Sequence, residues 1–283
     1  MLLTDKKSKK FGKISIKVIK KIVKDKSRTM KQNFEVETGY FESGLPYVKI
    51  GQGSNIIVNI EALTYKHEPA SGFVLKQFIK DSKPFLDNHT IYLIGRKPNL
   101  PPGYFMDQMA DDYARVVKED LKKPVIIIGA STGGQIAQNI AANYPELVQK
   151  LIIISAAYRI SKQGEEIERR SAEYFAQGKY GKYLSTSMEL IYDAGIKRSL
   201  LKGFIRVIGK LLVRKVKYPN DYLVEVEADR EMDFKERLKD IRAPTLILSG
   251  VRDICYAVED VQETSEGIPN SELILMMITG IIF

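Results

Sequence analysis

The chain of 283 residues is poor in the residues that usually announce a function. It has one cysteine, Cys255, no tryptophan, and two histidines, His67 and His89. A single cysteine excludes an internal disulfide, so nothing points to an oxidising compartment. Two isolated histidines leave a metal site almost without support, and no metal or cofactor is expected. No apolar run approaches the roughly 18 residues that read as a membrane span. The first residues lack both an unbroken apolar core and a small-residue cleavage site, so no secretory signal is expected and the protein reads as cytoplasmic.

Charge of one sign is concentrated rather than spread. The formal net charge is +9, but residues 1–33 hold twelve Lys/Arg against two Asp, which leaves the other 250 residues close to neutral. A basic excess confined to one short segment argues against a nucleic-acid partner. Within that segment, Phe11, Ile14, Val18, Ile19, Ile22 and Val23 share one side of a helical wheel, and Lys13, Lys17, Lys20, Lys21 and Lys24 the other. Residues 1–29 therefore read as a basic amphipathic arm. Such an arm either lies peripherally in an anionic membrane surface or docks on the domain with its lysines in solvent, and the second is the commoner use.

What is abundant is short apolar strands alternating with helical periodicity. Met30–Glu42 and Leu45–Ile50 read as strands joined by a turn at Ser43-Gly44. Further strands are expected at 56–60, 90–94, 125–128 and 151–154, with helices over Phe73–Leu86, along the Met106, Met109, Tyr113 and Val117 face, and over 135–143. This alternation implies an α/β fold, a mostly parallel sheet with helices on both faces. The strand pattern stops near Ala157 and resumes at Pro244–Leu248 and Leu273–Ile278. Residues 158–240 are charged, tyrosine-bearing and helical in period, so they read as a helical cap inserted into a core made of 30–157 and 241–283. Within it, Lys202, Arg206, Lys210 and Arg214 form an i, i+4 stripe, with Leu200, Leu201, Phe204, Ile208, Leu211 and Leu212 opposite. The ordinary arrangement puts that apolar face inward and the basic face in water. The other has the helix recruit an anionic or lipidic surface.

The chemistry centres on Gly129-Ala130-Ser131-Thr132-Gly133-Gly134, between the strand at 125–128 and the helix at 135–143. A strand, a tight glycine-flanked turn with serine at its apex and a helix together raise a hydroxyl as a nucleophile. Gly129 and Gly133 let the chain turn without a Cβ clash, and Gly134 and Ala137 let the helix lie close to the sheet. A phosphate-binding reading is disfavoured, because no lysine follows the turn and no acid ends the next strand, where Ser155-Ala156-Ala157 stand.

This turn, the position of the helical insertion and the late Gly250-Val251-Arg252-Asp253 together resemble the α/β hydrolase superfamily, over roughly residues 30–280. Gly95-Arg96-Lys97-Pro98 followed by Leu100-Pro101-Pro102-Gly103 is similar to a microbial branch of capped serine hydrolases. The resemblance implies acyl transfer. Ser131 attacks the carbonyl of a small-molecule ester, thioester or amide, and Asp253 orients a histidine base. The N–H of Thr132 and an N–H after Ile60, that of Leu63, hold the oxyanion. Glu61-Ala62 stand where the family has a glycine. Asp253 also has a plainer reading as the N-cap of a helix over Tyr256–Thr264.

The resemblance puts the histidine at 281, after Gly280, and Ile281 stands there instead. His89 precedes a strand and lies at the wrong end of the sheet. His67 lies on the serine's side and is a weak substitute for the base. Two explanations stay open: a shortened product, or a stable protein that has lost its base. The three-residue apolar tail after a good match favours shortening. The sequence expectation is therefore a serine hydrolase scaffold for carboxylic esters or thioesters with an incomplete triad. Its rivals are a non-catalytic ligand-binding or membrane-surface protein and an acyltransferase.

Overall fold

The computed structural model describes residues 35–191, 195–213 and 216–279. The amphipathic segment at 11–24 and residues 280–283 lie outside them. Eight strands form one sheet: β1 (Val36–Tyr40), β2 (Pro46–Ile50), β3 (Asn55–Ile60), β4 (His89–Ile94), β5 (Val125–Ala130), β6 (Val148–Ile154), β7 (Thr245–Arg252) and β8 (Ser271–Thr279). Their order is β1-β2-β4-β3-β5-β6-β7-β8. β1 pairs antiparallel with β2, and β2 antiparallel with β4, while every other pairing is parallel. The β1–β2 hairpin closes where Gly44 takes φ +88, a value that suits glycine.

Alternation along the strands sorts side chains onto two faces. Val58, Ile60, Val125, Ile127, Leu151, Ile153 and Ile247 point to the larger core. There they meet α2 (Met106–Arg115), α3 (Thr132–Asn143) and α8 (Val258–Gly267). Met106, Met109, Tyr113 and Val117 all lie in it, as their helical spacing predicts. Ile57, Ile91 and Leu93 point to the other face and pack with Phe78 of α1 (Gly72–Ser82). On that second face Ile152, Ile154, Leu246 and Leu248 are half-buried.

Between β6 and β7 stand four helices: α4 (Lys162–Ala176), α5 (Tyr180–Ile191), α6 (Ile196–Leu212) and α7 (Pro219–Glu231). They form the cap, with a core of Phe175, Tyr183, Val213, Tyr222 and Val226 against which Leu63 and Tyr65 pack. Ser161 starts α4 by accepting the N–H of Gly164. One helix departs from its expected orientation. In α6 the apolar residues Leu200, Phe204, Leu211 and Leu212 are exposed, whereas Lys202 pairs with Glu189 of α5. The cause is steric. Gly209 and Gly181 meet so closely that a Cβ on Gly209 would stand 2.5 Å from the Gly181 Cα. The glycine side of α6 is therefore the packing side. Among the described residues, no helix is long and apolar enough to cross a membrane, and no group of His, Cys, Asp and Glu is placed to hold a metal ion.

Candidate functional site

Ser131 follows β5 and precedes α3, and the elbow strains it. Its φ is +50 and ψ −129, a conformation a non-glycine residue rarely adopts. Two backbone contacts hold it there. Its N–H donates to the Ile154 carbonyl of β6 at 3.0 Å, and its carbonyl accepts from Gly134 at 2.7 Å. The flanking glycines serve close approach rather than unusual torsion. A Cβ on Gly129 would stand 2.3 Å from the Gly133 carbonyl oxygen, and one on Gly133 2.6 Å from that of Ile60. A Cβ on Gly134 would stand 2.6 Å from Ala156 Cβ. The elbow is thus wedged between β6 and the loop after β3, and small residues are obligatory at all three positions.

Thr132 opens α3, where N–H groups lack helical partners. Its N–H and that of Leu63, in the 61–71 loop after β3, make no hydrogen bond among the described residues. Asp253 follows the last residue of β7. Because β3, β5, β6 and β7 run parallel, Leu63, Ser131 and Asp253 all emerge at the same edge of the sheet. The N-cap of α8 is Ala257, so Asp253 does not cap that helix. Instead its Oδ1 accepts the N–H groups of Cys255, at 2.9 Å, and Tyr256, at 3.2 Å. Its Oδ2 is buried without a hydrogen-bond partner, although the Ser155 hydroxyl is near enough to act on it. Burial pushes the Asp253 carboxyl up, and the two backbone N–H groups and Ser155 restrain it.

Neither histidine stands free. His89 begins β4, at the opposite edge, and its Nδ1 pairs with the Phe85 carbonyl at 2.9 Å. His67 is on the serine's side, but both its nitrogens are occupied. Nδ1 meets the Lys97 carbonyl at 2.9 Å and Asp221 Oδ2 at 3.2 Å, and Nε2 meets Glu225. Burial alone would lower the imidazole pKa. The carboxylates of Glu225 and Asp221 outweigh it and hold it at about 9, so the ring is a cation at neutral pH.

Several residues at this edge have no role assigned by the sequence. Arg96, fully buried, donates to the carbonyl oxygens of Glu61 at 2.5 Å and Ala62 at 2.8 Å, and forks onto the Glu225 carboxylate at 2.9 and 2.6 Å. It thereby ties the loop that carries Leu63 to α7 of the cap. Asp221 accepts the N–H groups of Asn99, at 2.9 Å, and Leu100, at 2.8 Å. Gly95-Arg96-Lys97-Pro98 was the one visible signal of this junction.

Closer to the serine lies a second polar cluster. The Thr132 hydroxyl donates to Asp229 Oδ2 of α7 at 2.5 Å. Asp229 Oδ1, Glu168 Oε2, both amide atoms of Gln135 and the Tyr256 hydroxyl are buried without hydrogen-bond partners. The Ser131 side chain is close enough to Tyr256 to counter the rise in its pKa, which burial drives upward. Burial also raises Asp229, to about 7, despite the Thr132 and Gln135 side chains, and raises Glu168 well above the carboxylate range with Asp229 adding to the effect. A separate cavity of about 310 Å³ opens between the 61–71 loop and the start of α7, lined by Tyr40, Tyr65, His67, Lys217, Tyr218 and Asp221 among others.

Comparison with known proteins agrees with this fold. A putative carbamate hydrolase of Serratia proteamaculans is 22% identical over 187 residues, 65% of this chain and 68% of that protein. A pimeloyl-[acyl-carrier protein] methyl ester esterase of Vibrio campbellii is 22% identical over 209 residues, 71% of this chain and 80% of that protein. An α/β hydrolase enzyme from a deep-sea metagenome library superposes with a TM-score of 0.70 at 17% identity, over 87% of this chain and 90% of that one. The family model for serine aminopeptidase, S33, matches residues 103–281, from ahead of the serine elbow to past the end of β8. The chain belongs to that family, within the α/β hydrolases.

Proposed function

We propose that this protein is a serine hydrolase scaffold for carboxylic esters or thioesters, with Ser131 as the nucleophile. The observation that carries the reading is the strained elbow. A φ of +50 at a serine persists only where surrounding contacts enforce it, and such strain collects at reacting groups. Asp253 is the acid that orients the base. The unoccupied N–H groups of Thr132 and Leu63 receive the oxyanion. The acyl part enters beneath a cap formed by residues 158–240, by way of the cavity beside Tyr65, onto a core of 30–157 and 241–283.

The same reading assigns no base to His67. A cation with both nitrogens engaged cannot accept the serine proton, so its task is to tie the cap to the 61–71 loop. Position 281, where the family resemblance puts the base, holds isoleucine. The triad among residues 1–283 therefore has a nucleophile and an acid without their base. Removing one triad member costs several orders of magnitude in rate but leaves about 10³–10⁴-fold catalysis over water from the oxyanion donors and binding.

The test is labelling by a serine-directed fluorophosphonate. The native chain should label slowly and Ile281→His markedly faster, with the modification on Ser131 by mass spectrometry. If Ile281→His gave no adduct at Ser131, the hydrolase reading would be wrong.

A further inference from the structure

Helix α6 turns its apolar side to solvent. Leu200, Phe204, Val207 and Leu211 follow one another at four-, three- and four-residue intervals, so they share one face. They are 70, 61, 81 and 65% exposed. Soluble proteins seldom leave such a contiguous stripe in water without a use for it. The opposite side is the one that packs, with Gly209 and the Arg206 backbone against Gly181 of α5, and with Lys202 on Glu189. The helix sequence holds five basic residues, Lys197, Arg198, Lys202, Arg206 and Lys210, and no Asp or Glu.

We propose that α6 is a docking face for an anionic lipid bilayer, in which the Leu200–Phe204–Val207–Leu211 stripe enters the acyl boundary and the positive charge of the helix meets headgroup phosphates. Charge selects this occupant. The N-terminal arm is amphipathic too, but residues 1–29 carry eleven Lys/Arg against two Asp, the same sign as a helix with five basic residues and no acidic one. A second copy would bring two helices of like charge together for the same reason. An anionic membrane surface suits both the apolar stripe and the net positive charge of the helix. It would also draw the cap toward lipid, the side of the molecule on which an acyl substrate would arrive.

The chain has no tryptophan, so one introduced residue reports its surroundings without background. Val207→Trp places the indole in the stripe. Phe85→Trp places it at another exposed site, just before β4 at the amino-terminal edge of the sheet. With vesicles containing phosphatidylglycerol, the emission of the Val207→Trp variant should shift to shorter wavelength and be quenched by brominated acyl chains. That of the Phe85→Trp variant should stay unchanged. Vesicles of phosphatidylcholine alone should give neither effect. In co-sedimentation, the double variant Phe204→Glu/Val207→Glu should lower the bound fraction at least about fivefold. Binding without a fluorescence response from Val207→Trp would assign the membrane contact to the arm and overturn the proposal. So would a stripe-dependent dimer in lipid-free sedimentation velocity. These readouts need no turnover, so their failure would leave the hydrolase reading untouched.

Discussion

Asp221, Glu225 and Asp229 lie one turn apart on α7 and all three are buried, yet their surroundings differ sharply. The first two meet a full set of donors. Asp221 receives His67 and two backbone N–H groups, and Glu225 receives His67 and the Arg96 fork. Burial works against the Glu225 anion, but Arg96 and His67 overcome it and hold its pKa below the ordinary carboxylate value. Asp229 receives the hydroxyl of Thr132 and keeps an oxygen unpartnered, beside Glu168, Gln135 and Tyr256 with orphaned atoms of their own. The helix pairs its buried charge completely at one end and incompletely at the other. The paired end fastens the cap to the loop that carries Leu63. The unpaired end lies against Thr132, the residue after Ser131, and leaves unsatisfied polar atoms buried there.

The most damaging way to break this contrast is Arg96→Met. The side chain keeps much of its volume but leaves the Glu225 carboxylate and the carbonyl oxygens of Glu61 and Ala62 without their donor. Breaking one partner of a buried ion pair destabilises by about 3–5 kcal/mol. Denaturant unfolding of the variant should show a loss of that size. A loss below about 1 kcal/mol would mean that the junction does not hold the cap.

A pH series tests the same junction without mutation. The folded His67 pKa of about 9 lies above the ordinary 6.5. Its contribution is therefore complete below about pH 6.5 and disappears as pH rises through 9, a loss of up to about 3 kcal/mol. Asp229 and Glu61 act in the same direction. Both are raised to about 7, chiefly by burial, so their cost grows as pH climbs from the ordinary carboxylate range to 7. Glu225 acts in the opposite direction, and its contribution is lost on acidification through its lowered pKa. Thermal stability should thus peak on the mildly acidic side of neutrality and fall toward pH 9. In His67→Asn the decline between pH 6.5 and 9 should shrink. An unchanged decline would remove His67 from the explanation.

Legibility followed distance along the chain. The β5–Ser131–α3 elbow is local: an apolar run, glycines at fixed offsets and a helix within twenty residues, so the order of elements and the α/β class could be read directly. The face of α6 could not. A helical wheel separates Leu200, Phe204 and Leu211 from Lys202 and Arg206 but does not say which side packs, and the answer lies at Gly181, 28 residues before Gly209. Arg96 was visible within Gly95-Arg96-Lys97-Pro98, but its partner Glu225 stands 129 residues away. The Asp221–Glu225–Asp229 spacing, read alone, describes a solvated acidic stripe as well as a buried one. Only the matching Arg96, His67 and Thr132, all on other elements, decide between them.

Asp229→Asn is the gentlest of the three tests and the most discriminating. The amide keeps the shape of the carboxylate and can still accept from Thr132 Oγ1, while it removes a charge that burial already disfavours. Replacing an incompletely paired buried charge by a neutral group of the same volume is close to neutral. Stability at pH 6 should change by less than about 1 kcal/mol, a small fraction of the effect expected for Arg96→Met on the same helix junction. At pH 8 the variant should be the more stable of the two, because wild-type Asp229 must then carry its charge in the interior. If Asp229→Asn instead cost as much as Arg96→Met at both pH values, the two ends of α7 would be energetically alike. Asp229 would then be a fastening like its neighbours.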